Sequence, residues 1–277
     1  MTTKSPYYKP SGNFNITSLL IPLGIGIGVA AVLSIIYTYA IHYIPFVYLN
    51  FLITLGFGIA LGFCVNLGVK IGKIRNKQAV IFISLVVGLI AVYLQWVYYF
   101  FVILKHNKIF FNPGTVYNLT AILAKTGSWS IKRYTPKGIV LYGVWFIELA
   151  MIAGGAIYFA LTSFKSMIFC EDCQVWIDES EKVEYLEPLK NSDIKSDLEK
   201  GEFKELKNLK RVPVEEIEYT EIELKRCSKC QNLNVMTLKE VKIKINKDDK
   251  EEKKENEIVE NLLIDGSNYS ALLKLQD

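Results

Sequence analysis

Histidine is nearly absent from this 277-residue chain: the two present, His42 and His106, both fall in the first 164 residues. The second half therefore has no imidazole to act as a base or a metal ligand. Acid is what the first half lacks. Residues 1–164 carry 12 Lys/Arg and a single carboxylate, Glu148, whereas residues 165–277 carry 20 Lys/Arg and 27 Asp/Glu, a net charge of −7. One soluble core does not divide its charges this way, but a membrane region followed by a solvated domain does. HExxH, P-loop, GxSxG and Rossmann fingerprints are all missing. Five cysteines remain, Cys64 inside an apolar run and two CxxC pairs in the acidic half. A two-residue gap suits reduced, metal-binding thiols on the cytosolic side better than disulfides.

Long apolar runs dominate the first half. Ser11 to Val69 is 59 residues without Asp, Glu, Lys or Arg, and one helix needs about 20 residues to cross a bilayer. The run therefore holds two spans with a turn at His42-Tyr43-Ile44-Pro45, since proline lacks the donor a continuing helix requires. Gln78–Leu104 and Gly138–Phe164 supply two more, the last interrupted only by Glu148. The expected architecture is a 1–15 cytosolic tail and an all-α four-helix membrane bundle over 16–164, with spans at 16–41, 46–69, 78–104 and 138–164. The first span is too long for a signal-peptide core and no small-residue cleavage site follows it, so it should remain as an anchor.

Lys70, Lys73, Arg75 and Lys77 make the loop between spans two and three cytoplasmic. Parity then puts both termini in the cytoplasm, in agreement with Lys4, Lys9 and Lys165. The longer loop after span three opposes this with Lys105, Lys108, Lys125, Lys132, Arg133 and Lys137, but dilutely. Tyr37, Tyr39, Tyr43, Tyr48, Trp96, Tyr98, Tyr99, Tyr142 and Trp145 fall toward the outer face, as an aromatic belt would. Within the outer loop Asn112-Pro113 reads as a helix start and Gly127 as its stop, with Val116, Leu119, Ile122 and Leu123 on one face. That helix either lies in the interface or packs over the outer ends of the spans.

Gly58 and Gly62 are four apart on span two and allow close approach of another helix, with Gly24, Gly26, Gly28, Gly154 and Gly155 as matching surfaces. Packing, within the chain or in a homo-oligomer, is the favoured reading over transport. Glu148 is costly in a bilayer, roughly 2.5–3.5 kcal/mol on insertion scales, so it should face the bundle interior. Counting inward from the outer ends places Glu148 and Gln95 at similar depth, roughly 14–15 Å. They are expected to be each other's polar partners, either as a clamp fixing register or as an ion or proton site. The clamp is favoured, because no second acid and no Lys or Arg lies within the spans.

Residues 165–277 carry the strongest chemical signal. Cys170-Glu171-Asp172-Cys173 and Cys227-Ser228-Lys229-Cys230 each present two sulfurs, and together they make a closed four-thiolate zinc site. Strand-like residues flank both turns. The 53 intervening residues exceed the roughly 15–20 of a compact ribbon, yet the extra loop closure costs only about 1 kcal/mol against roughly 10–16 kcal/mol for zinc binding. Within a helical insertion at 181–221, Ile194, Leu198, Phe203, Leu206 and Leu209 recur at helical intervals. Leu233–Ile245 reads as a strand, Asn246–Glu257 as a charged turn, Ile258–Ile264 as a strand, and Ser267–Leu275 as a helix capped by Asp265 or Ser267. The expected fold is a small cytosolic α+β zinc-ribbon-like domain over 165–277.

The Gly-rich second span running into Lys70-Ile71-Gly72-Lys73-Ile74-Arg75-Asn76, Trp129, Trp145–Glu148, the Phe169-Cys170-x2-Cys173 knuckle and Lys200-Gly201-Glu202-Phe203 carry a resemblance. The chain resembles a loosely defined group of uncharacterised bacterial four-span membrane proteins, which implies residence in a bacterial cytoplasmic membrane and no activity. The function expected is a membrane-anchored zinc-ribbon module that holds or senses a cytosolic protein partner. The alternative is a small transporter or channel subunit using Glu148 and Gln95. An enzyme ranks last because a closed four-thiolate zinc has no open coordination position. A nucleic-acid reader is disfavoured by the net −7 of the solvated half.

Overall fold

The computed structural model describes residues 5–276 apart from 45, 106–107, 131–134, 192, 215 and 246–250. Lys4, Pro45, His106, Lys132, Arg133 and the tip of the charged turn lie outside the described residues. Two compact units emerge, residues 11–166 and residues 167–277, the second joined by residues 1–10.

The first unit is built on four long helices, α1 (Leu20–Tyr43), α2 (Val47–Ile71), α3 (Lys77–Ile103) and α5 (Ile139–Lys165), with the shorter α4 (Pro113–Thr126) between α3 and α5. All four long helices are apolar enough and long enough to cross a membrane. Their ends fall within a few residues of the runs read from the sequence, because uninterrupted apolar residues favour helix until a polar or glycine stop intervenes. A 3-10 turn at Thr17–Leu19 leads into α1. Asn76 caps α3 by accepting from Ala79 N at 3.0 Å.

α1 and α5 each pack against both α2 and α3, so they stand at opposite corners. Polar side chains set the register. Ser34 and Thr38 of α1 donate to the carbonyls of Ala91 and Gln95 of α3, at 3.0 and 3.3 Å. Asn66 of α2 donates to Ala160 O of α5 at 3.2 Å. At Gly58 a Cβ would lie 2.7 Å from Ile152 O, so only glycine lets α2 approach α5 this closely. α4 packs over the end of α3, where Val116 joins Val97 and Phe100 with Leu119 and Leu123 alongside. Ile122 points away and is exposed.

The second unit contains a two-stranded sheet, β1 (Ile168–Cys170) with β2 (Val175–Ile177). It also contains a four-stranded antiparallel sheet of β3 (Glu181–Leu186), β4 (Glu218–Arg226), β5 (Asn234–Ile245) and β6 (Glu251–Leu263), paired in that order. Two short helices, α6 (Ile194–Glu199) and α7 (Lys204–Lys207), and α8 (Gly266–Leu273) pack on it. The core gathers Ile194, Leu198, Phe203, Leu206 and Leu209 with Ile222, Leu224, Met236, Leu238 and Leu262. The five residues spaced at helical intervals are therefore core.

Two expectations are corrected here. The segment 181–221 is not helical throughout: it opens with β3 and closes with the start of β4, because Val183 and Leu186 bury against the sheet. Nor is 251–257 a turn. It forms the first half of β6, where Glu255 and Glu257 reach Lys239 of β5 across the hairpin, at 2.9 and 3.9 Å. Asp265 caps α8, accepting from Asn268 N at 2.6 Å.

Residues 6–8 add a short stretch to the free edge of β6. Tyr8 N donates to Asn261 O and Leu263 N to Pro6 O, both at 2.8 Å, and Tyr7 bridges Leu262.

Candidate metal centre and buried carboxylate

Cys170 ends β1, and Cys173 sits in the turn to β2. Cys227 follows β4, and Cys230 sits in the turn to β5. The β3–β4 pairing carries the chain back across the 53 intervening residues to the first turn. Those residues fold into the domain core, so their ordering is driven by burial and not left as a loop-closure cost.

The four sulfurs lie within 4.8 Å of one another, and Cys170 Sγ and Cys230 Sγ are 3.6 Å apart. Thiolates at about 2.3 Å around one tetrahedral zinc stand about 3.8 Å apart. A disulfide would need about 2.05 Å, and all five cysteines are free. The arrangement fits one soft metal ion held by four sulfurs. Cys170 and Cys227 are buried with Ile168, Ile177 and Val235 in a small apolar cluster of their own.

Local backbone favours sulfur as an anion at one corner. The N–H of Asn232 pulls the Cys230 thiol down to about 7. Desolvation, reinforced by the neighbouring thiols, pushes Cys173 up to about 12. Desolvation also raises Cys170, against an opposing N–H from Cys173. Four thiols this close cannot all ionise unless a cation offsets their mutual repulsion.

One signal in the sequence had gone unused. Both turns read C-x-x-C-Q, and Gln174 and Gln231 both take left-handed backbone, φ 55° and 57°. Each reverses the chain after its second cysteine, which is why the two knuckles match. Asn234 braces the second, donating to Gln231 O at 3.2 Å and accepting from Arg226 Nε at 2.6 Å. Tyr8, from the stretch on the edge of β6, braces the first: Phe169 N donates to its hydroxyl at 2.9 Å.

Glu148 does face the interior of the helical unit, but Gln95 is not its partner. Tyr37 of α1 donates to Glu148 Oε1 at 2.6 Å and also meets Thr54 Oγ1 of α2 at 2.9 Å. Thr54 in turn donates to Asn50 O at 2.8 Å. Gln95 Oε1 is buried with no partner among the described residues. Equal depth fixes height along a helix and leaves azimuth free, and each residue turns the helix by about 100°. It is the next residue, Trp96, that meets α5, packed edge-on against Trp145 at 4.8 Å. Tyr37, assigned to an outer aromatic belt, is instead 3% exposed and stacked on Phe57. It lies three residues after the buried Ser34, on the same helix face, and that spacing was the available clue.

No protein-family model, no curated protein and no solved structure matches this chain.

Proposed function

We propose that the protein is a multi-pass component of a bacterial cytoplasmic membrane whose cytosolic zinc-ribbon-like domain holds a protein partner. The observation that carries this reading is the closed cluster of Cys170, Cys173, Cys227 and Cys230. Four thiolates complete a tetrahedral zinc and leave no position for water or substrate, so the metal's role is structural. It ties β1 and β2 to the end of the main sheet and fixes a rigid surface beyond the membrane. The net charge of −7 disfavours nucleic acid as the partner.

The four apolar helices support membrane residence. The pairing of residues 6–8 with β6 supports an even number of crossings between them, independently of hydropathy. The basic α2–α3 loop supports the cytosolic placement of both ends. Bacterial origin rests on the resemblance alone.

Metal analysis of the purified full chain tests the reading. One zinc per chain is expected, lost in Cys227→Ser together with protection of the β1–β2 amides from hydrogen exchange. A metal-free protein with β1–β2 fully protected would refute it.

A further inference from the structure

Glu148 opens onto a cavity of about 330 Å³ at the α1–α2 end of the helical unit. This lies at the small end of the range in which small-molecule sites fall, about 300–1,000 Å³. Its walls include Tyr37 and His42 of α1, Asn50 of α2, Tyr99 of α3 and Trp129 of the segment after α4. We propose that this cavity binds a small organic cation, an aryl- or alkylammonium, between the Glu148 carboxylate and the aromatic faces of Tyr99 and Trp129.

The chemistry of the lining selects the sign of the charge. Glu148 is the only carboxylate in residues 1–164, and among the described residues Tyr37 supplies its one hydrogen bond. That bond engages Oε1, which leaves acceptor capacity at Oε2. Asn50, also a lining residue, has a buried Oδ1 with no partner among the described residues. Ser128, another lining residue, has a buried Oγ with none either among the described residues. Among the described residues no Lys or Arg lines the cavity, and His42 is the basic side chain on its wall. Beside a neutral ligand the desolvated carboxyl would be neutralised by a proton, an anion would oppose its charged form, and a cation is the ligand class that stabilises that form. An ammonium head offers donors to the Glu148 carboxylate, and aromatic faces attract cations, more strongly where water is excluded. The site differs from the metal centre in both residues and ligand chemistry, so either stands if the other fails.

The test uses the full chain in detergent, with benzylammonium as probe and benzyl alcohol and benzoate as its neutral and anionic counterparts. Trp129 supplies a fluorescence readout. Benzylammonium should give a saturable change, with affinity at least about tenfold tighter than either counterpart. Glu148→Gln keeps an acceptor for Tyr37 but removes the charge, and should weaken benzylammonium about tenfold while leaving benzyl alcohol unchanged. Tyr99→Leu keeps apolar volume without the aromatic face and should weaken it severalfold; this variant decides the matter if Glu148→Gln fails to fold. Equal binding of benzylammonium by wild type and whichever folded variant is compared would overturn the proposal. So would a preference for benzoate or benzyl alcohol, or no saturable change with any of the three.

Discussion

At Gly62 a Cβ would come within 2.6 Å of Ala156 O and 3.2 Å of Ala156 Cα, one turn along from the contact at Gly58. Backbone cannot yield as the tip of a flexible side chain does, so Gly62→Val should separate α2 from α5. The expected cost is about 1–3 kcal/mol, the scale of an overpacked core, read as a lower thermal midpoint in detergent. An unchanged midpoint would show that the two helices do not touch there. Tyr37→Phe is a smaller change with a comparable effect. It removes the donor to Glu148 and the contact to Thr54 while keeping the ring on Phe57. Stability should fall by about 1–3 kcal/mol, because a buried acceptor is left unmatched. The same midpoint measurement checks it, and a neutral outcome would mean that Glu148 draws its partner from elsewhere.

Elements were legible in the sequence to different degrees, for physical reasons. Uncharged runs of more than 20 residues have few alternatives to helix, so α1, α2, α3 and α5 could be read off directly. The cap Asn112 with Pro113 and the stop at Gly127 bounded α4 by turn chemistry alone. Strands were harder. The first half of β6 is made of Glu, Lys and Asn, so its strand character shows in its pairing with β5 and not in an apolar pattern of its own. β3 is only six residues long and breaks register between Val183 and Leu186, with Tyr185 at φ 58°. The cysteines were legible because their spacing encodes the site, whereas Glu148's partner depended on helix azimuth, which spacing from a span end does not carry. The stretch at residues 6–8 was invisible, since three backbone-paired residues leave no periodicity. It nonetheless makes an element-scale prediction. Deleting residues 1–9 should expose the Leu263 amide to exchange and loosen Phe169 beside Cys170, leaving β4–β5 amides protected. Unaltered exchange at Leu263 would show that the stretch is not seated on β6.

For the whole molecule, a metal held by the four cysteines would tie stability to acidity. Zinc takes thiolates, and a thiol held near 12, as Cys173 is, must release its proton on binding. Lowering pH restores protons that compete with the metal. Apparent zinc affinity should therefore fall by more than about a decade per pH unit between about pH 8 and about pH 6. The dependence should steepen below the value near 7 of Cys230. Competition with a chromophoric chelator measures this, and a flat profile would remove the four thiols as ligands. Orientation is tested at the same scale. In an otherwise cysteine-free helical unit, a membrane-impermeant thiol reagent applied outside should reach a cysteine at Ser128 and miss one at Ser5 or Ser267; the reverse pattern would invert the topology.

Seating residues 6–8 on β6 also has a consequence in time. These residues leave the ribosome about 250 positions before Asn261 and Leu263, which supply their partners. At roughly 5–20 residues per second, Tyr8 waits tens of seconds with its hydroxyl and backbone unclaimed while four apolar helices emerge. The clasp at the first knuckle therefore closes only after nearly the whole polypeptide has been made. A chain stalled short of β6 would carry all four cysteines and still lack the strand that receives Tyr8, so any metal it bound would sit in an unbraced centre.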